Sequence, residues 1–180
     1  MRESPEIRAL IRALGANTSP SRITQQPLDF DPSHYARLCD RERPASARDL
    51  ATYADDLLYC PPIQTSLLVY LLPTLLHQWR RCLLAPRYGD FSAFMERFNT
   101  VLARKAGFRE LLAPRHYEAV GRFMSETLLQ HIGQESGLHF ESAHASPHTW
   151  VSALATFGKA FALVAPLWSQ WWGSTSEGHA

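Results

Sequence analysis

Excess charge of either sign is the first thing this 180-residue chain lacks. Its 18 basic and 17 acidic side chains leave a formal net charge of +1. Nucleic acids and anionic lipid surfaces both select for positive charge, so neither partner is expected. Cysteine is scarce as well. Cys39, Cys60 and Cys82 are odd in number, far apart and without a C-x-x-C pair. That argues against a disulfide framework or a cysteine zinc site and fits free thiols in a reducing cytosol. Glycine-rich signatures are missing: there is no G-x-x-x-x-G-K-[ST], no G-x-G-x-x-G, no G-x-S-x-G elbow and no H-E-x-x-H. Nucleotide binding is therefore disfavoured and no cofactor is expected. Lysine is nearly absent, 2 residues against 16 arginines. A GC-rich genome, where arginine codons are favoured, would produce that bias; the other reading is a face of planar guanidinium groups for carboxylates on a partner. Near the start, Ile7, Leu10, Ile11 and Leu14 are interrupted by Arg8 and Arg12. A secretory signal would need a continuous apolar segment there, so cytoplasmic residence is expected.

What the chain does have is apolar content, 46% hydrophobic residues against 19% charged. At this length, that is enough for one full core without disulfide or metal staples. The densest stretch runs from Trp150 to Trp172, with Lys159 as its only formal charge. A membrane span is the first question for such a run. However, Trp150, Leu154, Phe157, Phe161, Val164, Trp168 and Trp172 recur at spacings of three and four, while Ser152, Thr156, Lys159, Pro166 and Gln170 fall elsewhere. One apolar stripe on a helix points to a buried amphipathic element, so no membrane partner is expected. Phe157 and Phe161 are expected to pack against residues 63–84, the second most apolar stretch.

The remaining elements follow from caps and stripes. Residues 5–14 form a short amphipathic helix ending at Gly15, and the polar segment 15–29, with Pro20 and Pro27, reads as a linker or extended arm. Asp31 and Pro32 open a helix to about Arg41. Ser46 and Asp49 make a capping box for a helix with Leu50, Tyr53, Ala54, Leu57 and Leu58 on one face, stopping before Pro61 and Pro62. Pro73 predicts a kink, or two abutting helices, within 63–84. Asp90 caps a helix striped by Phe91, Phe94, Met95, Phe98 and Leu102, closing near Gly107. Another spans 114–132, with Gly133 past its end. Leu138, His139, Phe140 and Glu141 alternate as one short strand would, and Ser146 and Pro147 cap the terminal helix. The expected fold is all-α: a single-domain helical bundle or orthogonal array of five to seven helices. An N-terminal helix and arm (1–30) precede the helical domain (31–172), and a flexible tail (173–180) follows it.

Few residues suggest chemistry. His139, Glu141, His144 and His148 form the densest set of potential metal ligands. Their H-x-E-x-x-H-x-x-x-H spacing crosses a loop and a helix start and matches no motif of known geometry, so no metal is assigned. Asp55 and Asp56 are consecutive on a helix and point about 100° apart, so they cannot readily address one small site. A solvated helix face is expected there, with one carboxylate free to face a partner or cap a neighbouring helix. His77, Gln78, Trp79, Arg80 and Arg81 close an apolar helix, where cations complement the helix dipole. Trp168 and Trp172 share the terminal stripe and Trp171 falls off it. Tryptophan and arginine are enriched where proteins meet, so Trp79, Arg80, Arg81 and Trp171 are the candidate partner contacts.

The blocks DLATYADDLLY, LLVYLLPTLLHQW, LLAPRHYEAVGRFMSETLL, ASPHTWVSAL and PLWSQWW, across roughly 46–172, resemble bacterial all-helical proteins. The second block is similar to the lysine-poor, aromatic–Leu–Pro helices of small families found beside toxin genes as candidate immunity proteins. The resemblance implies an inhibitor of a toxin or effector. The expected function is thus a non-enzymatic protein-binding module. The alternatives are a metal-dependent enzyme using His139, Glu141, His144 and His148, and a homo-oligomeric structural protein that buries its nearly uncharged last quarter against itself.

Overall fold

A computed structural model describes residues 4–29, 31, 33–40, 43, 45–83, 92–105 and 108–134 of the chain. Within them the protein is all-helical, as expected, with six helices and no strand. They are α1 (Pro5–Leu14), α2 (Ser33–Cys39), α3 (Ala47–Tyr59), α4 (Thr65–Leu83), α5 (Ser92–Arg104) and α6 (Pro114–Gln134).

The caps explain most of the boundaries. The Ser4 hydroxyl accepts the Ile7 N–H at the start of α1. At the other end, Gly15 takes a left-handed φ of 65°, and its N–H closes on the Arg12 carbonyl. Ser46 and Asp49 form the reciprocal capping box on α3: the Asp49 N–H donates to the Ser46 hydroxyl (3.1 Å) and the Ser46 N–H to the Asp49 carboxylate (3.2 Å). That helix ends at Tyr59, just before Pro61 and Pro62.

Three expected boundaries need correction. α2 is shorter than the expected 31–41, although Asp31 does receive the Ser33 N–H at 2.9 Å. α4 runs as one helix through Pro73 rather than as two abutting ones. Proline there removes the donor owed to the Val69 carbonyl. Close burial of Leu71, Leu72, Leu75 and Leu76 around it holds the helix together. α6 continues over Gly133 to Gln134. The expected Asp90 cap, the Gly107 stop, the 138–141 strand, the Trp150–Trp172 helix and the 173–180 tail lie outside the described residues.

α4 is the axis of the core. It packs against α1, α5 and α6; α1 also packs on α6, α3 on α5, and α2 on α3. One continuous cluster results, with Ile7, Leu10 and Leu14 of α1 as much a part of it as Leu68, Leu72 and Trp79 of α4. No described helix is long and apolar enough to cross a membrane.

Candidate functional site

The most distinctive geometry lies where the arm, α2 and the C-terminal half of α3 meet. Asp55 and Asp56 diverge there as consecutive helical residues must. Asp55 pairs with Arg97 of α5 at 3.3 Å. Asp56 turns inward and is fully buried, which corrects the solvated-face expectation for that residue. Its Oδ1 accepts the Leu28 N–H at 2.8 Å, and its Oδ2 lies 3.6 Å from His34 Nε2 of α2. Burial pushes the Asp56 carboxyl above its ordinary range, against the opposing pull of the Leu28 N–H, the Tyr35 hydroxyl and His34. Burial likewise raises the Tyr35 and Tyr53 phenols, with the Asp56 charge adding to both.

The arm is held at a second point by Gln64, which precedes α4. Gln64 Oε1 accepts the Thr24 N–H at 2.7 Å, and its Nε2 donates to the Arg22 carbonyl at 2.8 Å. In return, Gln25 Oε1 accepts the Gln64 N–H at 3.0 Å. The stretch read as a linker or extended arm is an arm docked on α3 and α4, and Gln25 and Pro27 within it are buried.

Two large apolar side chains stay outside this corner: Leu28, 46% exposed, and Tyr59, 56% exposed. Leu28 is anchored to Asp56, one helical turn before Tyr59. Pro61 and Pro62 are exposed just beyond. Scattered surface hydrophobes mean little, but here both are carried on hydrogen-bonded backbone, Leu28 at Asp56 and Tyr59 in the last turn of α3.

The residues singled out from sequence are not brought together. Trp79 is fully buried in the core, which corrects its place among surface contacts. Its size and rigidity serve packing. Arg80 turns toward the N-terminal helix and α6, 3.4 Å from Glu6 and 2.8 Å from the Gln130 side-chain oxygen, so it ties three helices together. Arg81 is exposed in the last turn of α4. Gln78 is buried and donates to Cys82 Sγ. Trp171, His139, Glu141, His144 and His148 lie outside the described residues. Among the described residues, no group of three His, Cys, Asp or Glu side chains is placed to hold a metal.

Sequence reasoning missed His34, Gln25, Gln64, Leu28 and Tyr59. Tyr59 carried a signal: nine residues after Leu50 it falls about 180° from the inward stripe of α3. The others carried none that is local. No family model, curated protein or solved structure matches this chain. Its function must be read from its own surface.

Proposed function

We propose that the protein is a non-enzymatic module that binds another protein, and that Leu28 and Tyr59 are its anchor. The observation that carries this reading is the exposure of both side chains on a corner fixed by Asp56 and Gln64. Large apolar groups presented rigidly lose little entropy on binding, and tyrosine is among the commonest hot-spot residues. The near-neutral net charge of +1 favours a protein surface over a nucleic acid or a membrane. The finer reading, an inhibitor of a toxin or effector, draws on the resemblance of the 46–172 blocks. It fits a rigid scaffold whose task is to cover another protein's surface.

The test is photo-cross-linking from position 59 of the full chain in its native host, with the captured protein identified by mass. Titration of that purified protein into the wild type and a Leu28→Ser/Tyr59→Ser variant then measures affinity. The double variant should bind about 30-fold more weakly, or ~2 kcal/mol, with an unchanged melting temperature. Equal affinities would refute the anchor. Cross-linking only to a second copy of the chain would replace the reading with self-association.

A further inference from the structure

The passage from α5 to α6 collects positive charge that the fold does not use. Arg104 ends α5 and Lys105 follows it, Arg109 sits in the connection, and Arg115 and Arg122 lie two turns apart on one face of α6. The four arginines are exposed and Lys105 is half-buried. None of the five side chains has an ion-pair or hydrogen-bond partner among the described residues. Between positions 104 and 122 only Glu110 and Glu118 oppose them, in a chain whose net charge is +1, so positive charge is gathered here and the remainder is net negative. The connection is also stiff. Successive turns bind the Phe108 N–H to the Lys105 carbonyl (2.8 Å), the Leu111 N–H to the Phe108 carbonyl (2.9 Å) and the His116 N–H to the Ala113 carbonyl (2.9 Å). Phe108 is fully buried, with its ring 6.3 Å from that of Phe98 of α5.

Three features of this corner cost the fold. Phe108 holds a left-handed φ of 66°, rare for a bulky side chain. The first turn of α6 contains no acidic residue and carries Arg115, whose charge opposes the helix dipole. Burial lowers the His116 imidazole below its ordinary range and the Arg115 charge adds to it, so that cation's field is not neutralised within the chain. Local costs without a compensating contact concentrate at functional surfaces. We propose that this corner is a docking surface for an acidic peptide segment of another protein, one whose carboxylates are spaced by neutral residues. Four of the five cations are arginines, whose planar forks take carboxylates bidentately. Exposed Glu110 and Glu118 interrupt the cations, so a continuous phosphate backbone meets repulsion where spaced carboxylates do not. The net negative remainder of the chain opposes a long polyanion in the same way. Half-exposed Leu111 and exposed Pro114 supply apolar contact between the charges. The surface shares no residue with the Leu28–Tyr59 corner and does not depend on that corner being an anchor.

The experiment titrates the full chain with a capped peptide of about twelve residues, alternating glutamate and serine, and follows backbone amide shifts at low salt. The expected shifts concentrate on residues 104–122, and the affinity falls as salt is added. Arg109→Glu/Arg115→Glu should weaken binding roughly tenfold, and Arg109→Gln/Arg122→Gln, which leaves the first turn of α6 as it is, about threefold. Arg109→Glu/Arg115→Glu should melt no lower than the wild type, because an acid then stands where the helix dipole favours one. A lower melting temperature would show that the cations serve the fold, and would overturn the proposal. So would shifts spread evenly over the surface, or affinities unchanged in both variants. Tighter binding of a single-stranded oligonucleotide or of phosphatidylserine vesicles, compared at equal charge, would replace the acidic peptide with a phosphate-bearing partner.

Discussion

Replacing Asp56 in two ways separates its shape from its charge. Asp56 is fully buried, and its Oδ1 holds the Leu28 N–H at 2.8 Å. Asp56→Ala removes the acceptor and leaves that buried N–H without a partner, a loss of about 2 kcal/mol. In a chain of 180 residues that lowers the melting temperature by roughly 4–8 °C. Asp56→Asn keeps an oxygen for Leu28 and removes the cost of burying a negative charge. At pH 7 it should stay within about 1 kcal/mol of the wild type, or exceed it. The pH dependence has a definite sign. The folded-state pKa of Asp56 is raised, so the stability this carboxyl contributes is fully present below the unfolded value of about 3.9. That contribution is lost as pH rises through the raised folded value. The Asp56→Asn variant should therefore gain on the wild type between about pH 4 and pH 7, and the two should converge below pH 4. Thermal melts of the three proteins across that range decide the matter. If Asp56→Asn falls as far as Asp56→Ala at pH 7, the charge on Asp56, and not its acceptor oxygen, holds α2 and the arm.

Three further outcomes are expected. Trp79→Ala, which opens a cavity in the α4 core, should cost about 3–5 kcal/mol in chemical denaturation, whereas Arg80→Ala, at the Glu6 pair, should cost about 1. Equal losses would mean that the face of α4 is misplaced. Ser46→Ala, which breaks the capping box of α3, should cost ~0.5–2 kcal/mol, and Ser46→Asp should recover most of it in the same melts. Gln64→Ala frees the arm at Arg22, Thr24 and Gln25, so amide exchange at Thr24 and Gln25 should accelerate while that of the α4 core is unchanged.

How far the sequence could be read depended on whether the deciding interaction was local. α3 was legible from end to end because its start is set by Ser46 and Asp49, three residues apart, and its stop by Pro61 and Pro62. The course of α4 through Pro73 was not legible. A proline's local cost is offset there by burial against three other helices, which no window of residues shows. The docking of the arm was not legible for the same reason. Pro20, Pro27 and a polar run describe a linker well, but its docking rests on Gln25 and Gln64, 39 residues apart. Trp79, Arg80 and Arg81 looked like surface chemistry because tryptophan and arginine are common at interfaces. The register of α4 instead turns Trp79 into the core and Arg80 toward Glu6 and Gln130.

The Asp55–Asp56 pair links the docked arm to the proposed anchor. Because the two carboxylates diverge, α3 is clamped on two sides at once, by Arg97 of α5 and by the Leu28 backbone of the arm. Tyr59 then faces outward by register alone, whereas Leu28 is in place only while the arm is docked. Freeing the arm should therefore remove one half of the anchor and leave the other. Gln64→Ala touches neither exposed side chain. It should nevertheless weaken partner binding by about the same factor as Leu28→Ser, because the partner must then order the arm. Added to Tyr59→Ser, Gln64→Ala should cost as much again, and added to Leu28→Ser almost nothing. Binding unaffected by Gln64→Ala, with faster exchange at Thr24 confirming a freed arm, would show that Tyr59 alone meets the partner.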